Sequence, residues 1–258
     1  MRGLRLRGVQ ILAPVLDPVA ELYGVLGFSV GSRARTTATQ VVSRRIPLRG
    51  AVLELVDRIA GLEAAPPGVA GLVVSGAEAP VAGLVVEHGA AGREVVISNG
   101  PLALTFVTGP SVAARPVATP HANGATDLLF LAFAAVGMAD LGVAGAFGRW
   151  SRAVAVPDRG AHRRRLRLGD VLVEVLVPDG PGPVADLLGR SRFAVVALGV
   201  AVPDIRPLKC ELGARGIRTT GPQQRAEGLF LRVHPPQAGE VPLVFVEHRP
   251  GDGPDTFG

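Results

Sequence analysis

Two glutamates sit where a chain has little ordinary use for charge. Glu54 in AVLELVD and Glu174 in VLVEVLVP each interrupt an otherwise apolar run of strand-forming residues. In an extended chain alternate residues share a face, which sets Val52 and Val56 beside Glu54, and Leu172 and Leu176 beside Glu174. A carboxylate on such a face must be paired, metal-bound or protonated, because an isolated buried charge is costly. Apolar surroundings raise a carboxyl pKa toward the range useful for general acid or base catalysis. A local Arg or backbone N–H groups would instead hold the same carboxylate as a structural ion pair. The residues alone leave both outcomes open.

Other chemistry-bearing residues are sparse. The five histidines, His88, His121, His162, His234 and His248, show no HxH or HxxxH spacing. Cys210 is the single cysteine, so an internal disulfide and a thiolate metal cluster are both excluded. No nucleophile elbow, phosphate loop or dinucleotide fingerprint is present. The one dense basic cluster, Arg163, Arg164, Arg165 and Arg167, reads either as a solvated strand entry or as a clamp for a carboxylate or phosphate.

These residues need a scaffold, and the chain spells one out by repetition. Residues 4–13 form a strand, Asp17 and Pro18 open a helix with the apolar stripe Val19, Leu22, Tyr23 and Leu26, and Gly27 ends it. Strands over 29–36, 39–47 and 51–57 complete a βαβββ unit. Residues 193–216, FAVVALGVAVPDIRPLKCELGARG, repeat the strand, Pro-Asp, helix and Gly order far downstream. Between them lie a trimmed unit, with strands over 70–75, 93–98 and 102–108 and a helix or turn-like substitute over 79–88, and a third unit. That third unit has strands over 127–135, 151–156, 162–168 and 170–177 and a helix near 139–147. Strands over 216–220, 228–233 and 242–248 close the fourth. Gly180, Pro181, Pro183 and Gly189 read as turns. The expected organisation is residues 1–110 (modules 1–58 and 68–109), a linker over 111–124, residues 125–250 (modules 125–178 and 191–249) and a tail over 251–258.

Composition sets the outer bounds. The 258 residues are 48% hydrophobic and only 4% aromatic, which suits an aliphatic core of sheets under short helices. The net charge is +5, but every basic residue except Lys209 is Arg, which points to G+C-rich coding as much as to phosphate contacts. No nucleic-acid partner is therefore expected. No apolar run reaches the roughly 20 residues of a membrane span, so no membrane partner is expected either. The basic start MRGLRLRG leads into a strand rather than a secretory signal, and the expected location is cytoplasmic. The expected partner is a small-molecule ligand, with the chain a monomer or homodimer.

The stretches VQILAPVLDPVAELYGVLGF, RLGDVLVEVLVP and VHPPQAGEVPLVFVEHR resemble the vicinal oxygen chelate superfamily, the glyoxalase and bleomycin-resistance-like proteins, over nearly the whole chain. The resemblance implies an α+β fold class, with four βαβββ modules forming two glyoxalase-like bowl-shaped half-barrel domains. It also implies metal ligands on first and last strands, His or Gln then Glu, twice over. Gln10 and Glu54 match two of these positions. Registering the other closing strands on Glu54 gives Thr105, Glu174 and Val244, while the first strands of modules four and three offer Ala197 and only Leu or Phe. A divalent metal is possible at Gln10 and Glu54, but the ligand set is incomplete and no cofactor is favoured. The resemblance thus implies a small-molecule isomerase or lyase, in secondary metabolism or detoxification. Glu54 or Glu174 would move a proton beside a carbonyl, and Gln10, Thr105 and His234, the last reaching a bowl rim, would bind substrate. The alternatives are a non-catalytic antibiotic-binding or resistance protein with a metal-free bowl, and a metal-dependent glyoxalase or dioxygenase-like enzyme.

Overall fold

The computed structural model describes residues 4–35, 40–59, 66–76, 85–89, 92–97, 102–108, 120–141, 150–225 and 228–248; at 85–89, 92–97, 106 and 108 the description is of backbone alone. The first half supplies β1 (Arg5–Leu12), α1 (Leu16–Val25), β2 (Ala34–Arg35), β3 (Val42–Leu48), β4 (Ala51–Val56), β5 (Gly68–Ser75), β6 (Val85–Gly89), β7 (Gly92–Ile97) and β8 (Ala103–Thr108). The second supplies β9 (Leu128–Ala135), β10 (Val154–Val156), β11 (Ala161–Leu168), β12 (Val171–Pro178), α2 (Pro183–Leu188), β13 (Phe193–Val202), α3 (Ile205–Ala214), β14 (Thr219–Arg225), β15 (Gly228–Val233) and β16 (Leu243–Glu247).

The strands form two eight-stranded sheets of identical order, β2-β3-β4-β1-β5-β8-β7-β6 and β10-β11-β12-β9-β13-β16-β15-β14. In each, the first strand of a module lies parallel to its last, as β1 does to β4 and β13 to β16. The two first strands of a sheet meet antiparallel at its centre, β1 against β5 and β9 against β13. The fold is α+β, with four βαβββ-derived modules paired into two half-barrel sheets.

Period-two alternation divides each sheet into two faces. Val9, Ile11, Leu53 and Leu55 of the first sheet and Leu131, Phe133, Val173 and Val175 of the second belong to one continuous buried core. Tyr23 of α1, Leu26 just beyond its end, and Leu208 and Leu212 of α3 join it. Gln10, Glu54 and Glu174 fall on the opposite faces.

Polar ties reinforce the junction. Arg49 grips Asp127 through two bonds, Nε to Oδ1 at 2.8 Å and Nη2 to Oδ2 at 2.6 Å. Arg215 donates to the Val25 carbonyl oxygen at 2.9 Å, and Phe28 stacks on Phe245 with ring centroids 5.9 Å apart. Asn123 donates to the Leu26 carbonyl oxygen at 3.0 Å, and its backbone N–H reaches that of Gly27 at 3.2 Å. Gly27 has φ +88°, and a Cβ there would meet Asn123 at 2.9 Å, so both conformation and space demand glycine.

Several expectations need correction. Helix α1 starts at Leu16 with no side-chain cap; Asp17 is drawn off by Arg44, at 2.9 and 3.1 Å, and pins the helix to β3. In the third module, a 3-10 turn occupies Met138–Leu141, and the rest of the helix expected near 139–147 lies outside the described residues. Of the strand expected over 29–36, only Ala34–Arg35 pairs as a strand; Gly31 instead donates singly to the Arg45 carbonyl oxygen at 2.8 Å, and residue 36 lies outside the description. Residues 85–88 are strand rather than helix, and 77–84 lie outside the described residues. Pro183–Leu188 is a short helix rather than a turn, because Val184 and Leu188 find an apolar seat on Ala134 and Leu176. Residues 111–119 of the expected linker and the tail over 251–258 also lie outside the description. No helix among the described residues is long and apolar enough to cross a membrane.

Two buried polar groups yield stability predictions. The Tyr23 hydroxyl is fully buried without a hydrogen-bond partner among the described residues, and burial raises its pKa. Tyr23→Phe is expected to stabilise the fold by about 1 kcal/mol, measured by chemical denaturation, since it removes an unsatisfied group at nearly constant shape. His121 accepts from the Ser29 N–H at Nδ1, at 2.9 Å, while Nε2 lies 3.0 Å from the Pro47 carbonyl oxygen. Burial lowers its pKa below the ordinary 6.5, partly opposed by the Pro47 bond. The unfolded chain therefore takes up the proton first. The contribution of His121 is complete above about pH 6.5 and lost as pH falls through its lower folded-state value. Denaturation midpoints at about pH 7.5 and 5.5 should differ less in His121→Asn than in the wild type.

Candidate functional site

The face of the second sheet turned away from the shared core holds a cavity of about 240 Å³. Its volume arises at the sheet centre, where Ala132 of β9 and Ala197 of β13 stand as cross-strand neighbours with almost no side chain. Leu172 of β12 and Val244 of β16 extend this apolar floor. Phe130 lies over Gly199, where any Cβ would run into its ring, and Phe230 approaches Phe130 at 6.3 Å between centroids.

Charge is concentrated on the walls. Glu174 of β12 stands opposite Arg165 of β11, whose Nε donates to Oε2 at 2.9 Å; both side chains are only 16% exposed. Arg163 Nε lies 3.7 Å from the same oxygen. Glu174 lines the cavity, and among the described residues its hydrogen bond is made through Oε2 and none is made through Oε1. Across the floor, Arg232 of β15 lines the cavity with Arg225 of β14 and Arg159 of the 3-10 turn Pro157–Arg159. Arg225 is placed over the Phe230 ring at 5.3 Å. Arg232 has no ion pair among the described residues, and its pKa is lowered by burial and by repulsion from Arg225 and Arg159.

The first sheet repeats the ion pair at the same register but fills the space beside it. Arg45 of β3 stands opposite Glu54 of β4, with Nε 2.9 Å from Oε1, and Gln10 of β1 stands on the other side, with Nε2 3.4 Å from Oε2. Gln10 lies over Gly71 of β5, where a Cβ would come within 2.5 Å of its Oε1. Glu54 therefore has both oxygens engaged by its own sheet. Thr105 is buried on β8, opposite Val73 of β5.

The predicted residues are thus divided. Gln10 and Glu54 are together, Thr105 is on the same sheet with β5 between β8 and β1, and Glu174 is alone on the other sheet. His234 is exposed just before the turn Pro235–Ala238, which packs on α1, and it is not among the residues that line this cavity. The counterpart of Gln10 in the second sheet is Ala132, neither Leu nor Phe, because β9 registers on Glu174 one residue away from both neighbours. Within the Arg cluster, Arg163 and Arg165 line the cavity, whereas Arg164 reaches the Ser151 carbonyl oxygen at 3.5 Å and Arg167 is exposed. Arg232 escaped notice in the sequence, yet it interrupts the apolar strand GLFLRV as Glu174 interrupts its own.

Among the described residues, the donors beside the two glutamates do not make up a set for a divalent ion. Ala132, Ala197 and Val244 offer no side-chain donor beside Glu174, and Gly71 offers none beside Gln10 and Glu54. Each glutamate already has a guanidinium on it, and no cluster of three His, Cys, Asp or Glu exists among the described residues.

No family model and no curated protein matches the chain. Among solved structures, a mutant of 4-hydroxymandelate synthase from Streptomyces coelicolor superposes with a TM-score of 0.62 at 16% identity, covering 100% of this chain and 96% of that one. The chain has the vicinal oxygen chelate fold. Methylmalonyl-CoA epimerase from Mycobacterium tuberculosis aligns with 50% of the chain and 91% of its own length, at 19% identity and a TM-score of 0.41.

The two glutamates are equally buried, but their arginines differ in exposure and Glu54 keeps Gln10 as a second donor, so the pairs should differ in worth. Arg165→Met leaves a largely buried carboxylate short of its main partner and is expected to destabilise by about 2 kcal/mol. Arg45 is 66% exposed, and Arg45→Met should cost no more than about 1 kcal/mol in the same urea titration.

Proposed function

We propose that the chain is a small-molecule isomerase or lyase of vicinal oxygen chelate fold that works without a metal, in the cavity of the second sheet. What carries this reading is the half-engaged state of Glu174: Arg165 fixes Oε2, and Oε1 remains to meet a ligand. In this reading Oε1 takes a proton from the carbon next to a carbonyl. The C–H electron pair becomes the carbon–carbon π bond of an enolate, whose oxygen is steadied by the Arg163 guanidinium. Returning the proton from Oε1 to a different carbon of a conjugated enolate on the same face gives isomerisation; expelling a group from the next carbon gives elimination. Glu54 has no such role here, because Arg45 and Gln10 occupy both of its oxygens.

The test is deuterium uptake next to the carbonyl, followed by NMR in heavy water with a panel of small 2-oxo acids and their methyl esters. Wild type and Glu54→Gln should promote exchange of at least one compound, and Glu174→Gln should lose about 100-fold or more. Exchange that survives Glu174→Gln would overturn the reading. Binding of a panel compound that persists in that variant, with no exchange in the wild type, would mark a sequestering protein instead.

A further inference from the structure

The cavity has more positive charge than its own residues neutralise. Arg163 and Arg165 are committed to Glu174, and Asp158, the other carboxylate on the wall, forms no ion pair among the described residues. Arg159, Arg225 and Arg232 therefore face one cavity with no carboxylate within ion-pair distance among the described residues. Arg225 is exposed and gains from the Phe230 face, so its charge is tolerable in the absence of ligand. Arg232 is different. It is half-buried on a strand whose alternate residues, Leu231 and Val233, are fully buried, and it cannot leave the wall without disturbing the pairing of β15 with β16. A guanidinium held there with like charges beside it is costly for the empty protein.

We propose that the ligand is an organic oxyanion, a carboxylate or phosphate ester, whose charged group is received by the Arg232 guanidinium while its apolar body rests on Phe130, Phe230 and the Ala132–Ala197 floor. A planar donor fork matches such a group in two parallel bonds, which a point charge would not do. Burial and like-charge repulsion both disfavour the unpaired Arg232 charge, and an anion paired with it offsets that cost. A volume of about 240 Å³, just below the usual range for drug-sized ligands, limits the body to something small.

This inference deepens the reading given above by naming the substrate class of the same cavity, but it does not depend on proton transfer by Glu174. Calorimetric titration of the full chain with benzoate and phenylphosphate, against neutral benzamide, separates the two. At least one oxyanion should bind, and benzamide at least about tenfold more weakly. Whichever oxyanion binds tighter distinguishes a carboxylate from a phosphate ester. Arg232→Gln should weaken the oxyanion about tenfold or more while raising the melting temperature of the unliganded protein, and Arg232→Lys should fall between. Glu174→Gln should retain or tighten oxyanion binding even where it abolishes exchange. Equal affinity for benzamide, unchanged affinity in Arg232→Gln, or no binding of either oxyanion would overturn the inference. Exchange on methyl esters that depends on Glu174 would then leave the catalytic reading standing alone. Oxyanion binding without any exchange would do the reverse.

Discussion

A sheet has two faces, and in this molecule the two sheets bury one face each in a single apolar layer. That constraint orders everything else. Val9, Ile11, Leu53 and Leu55 from one sheet and Leu131, Phe133, Val173 and Val175 from the other share one core, so alternation along the strands sends Gln10, Glu54 and Glu174 to the outer faces. A one-residue slip of any central strand would exchange the two sets, burying the charges and exposing the core. The register that stabilises the fold is thus also the register that assembles the site.

Much of this was legible from local chemistry. The repeated strand, Asp-Pro or Pro-Asp, helix and Gly order located α1 and α3, and Asp204 does cap α3 by accepting from the Arg206 N–H at 2.9 Å. The same signal misplaced the start of α1, because Asp17 has Arg44 within reach and a charged partner outcompetes a cap. Glu54 and Glu174 were recognisable as anomalies, since a carboxylate in an apolar strand demands an explanation. The choice between a perturbed acid and an ion pair was not readable, because it turns on cross-strand neighbours. Arg45 and Arg165 each stand nine residues upstream in a hairpin, and only the register of that hairpin puts them opposite.

The rest of the site depends on long-range placement. Arg225 and Arg232 come from one hairpin and Arg159 from a turn far upstream of it, and no spacing rule joins them to Glu174. His234 stands outside the lining of this cavity, and its neighbours Pro235 and Pro236 fold into a 3-10 turn packed on α1. Local sequence constrains each strand, whereas a cavity is defined by strands that meet only after folding.

Identical strand order has not produced identical halves. Where the second sheet has Ala132 beside Ala197, the first has Gln10 laid across Gly71, and the amide of that glutamine occupies the place beside the carboxylate. The first half in effect carries its own occupant, tethered by the backbone and bonded to Glu54 as a guest would be. The second half lacks that tethered guest, with Ala132 where Gln10 stands and Ala197 where Gly71 stands, and so leaves room beside Glu174 for a free one.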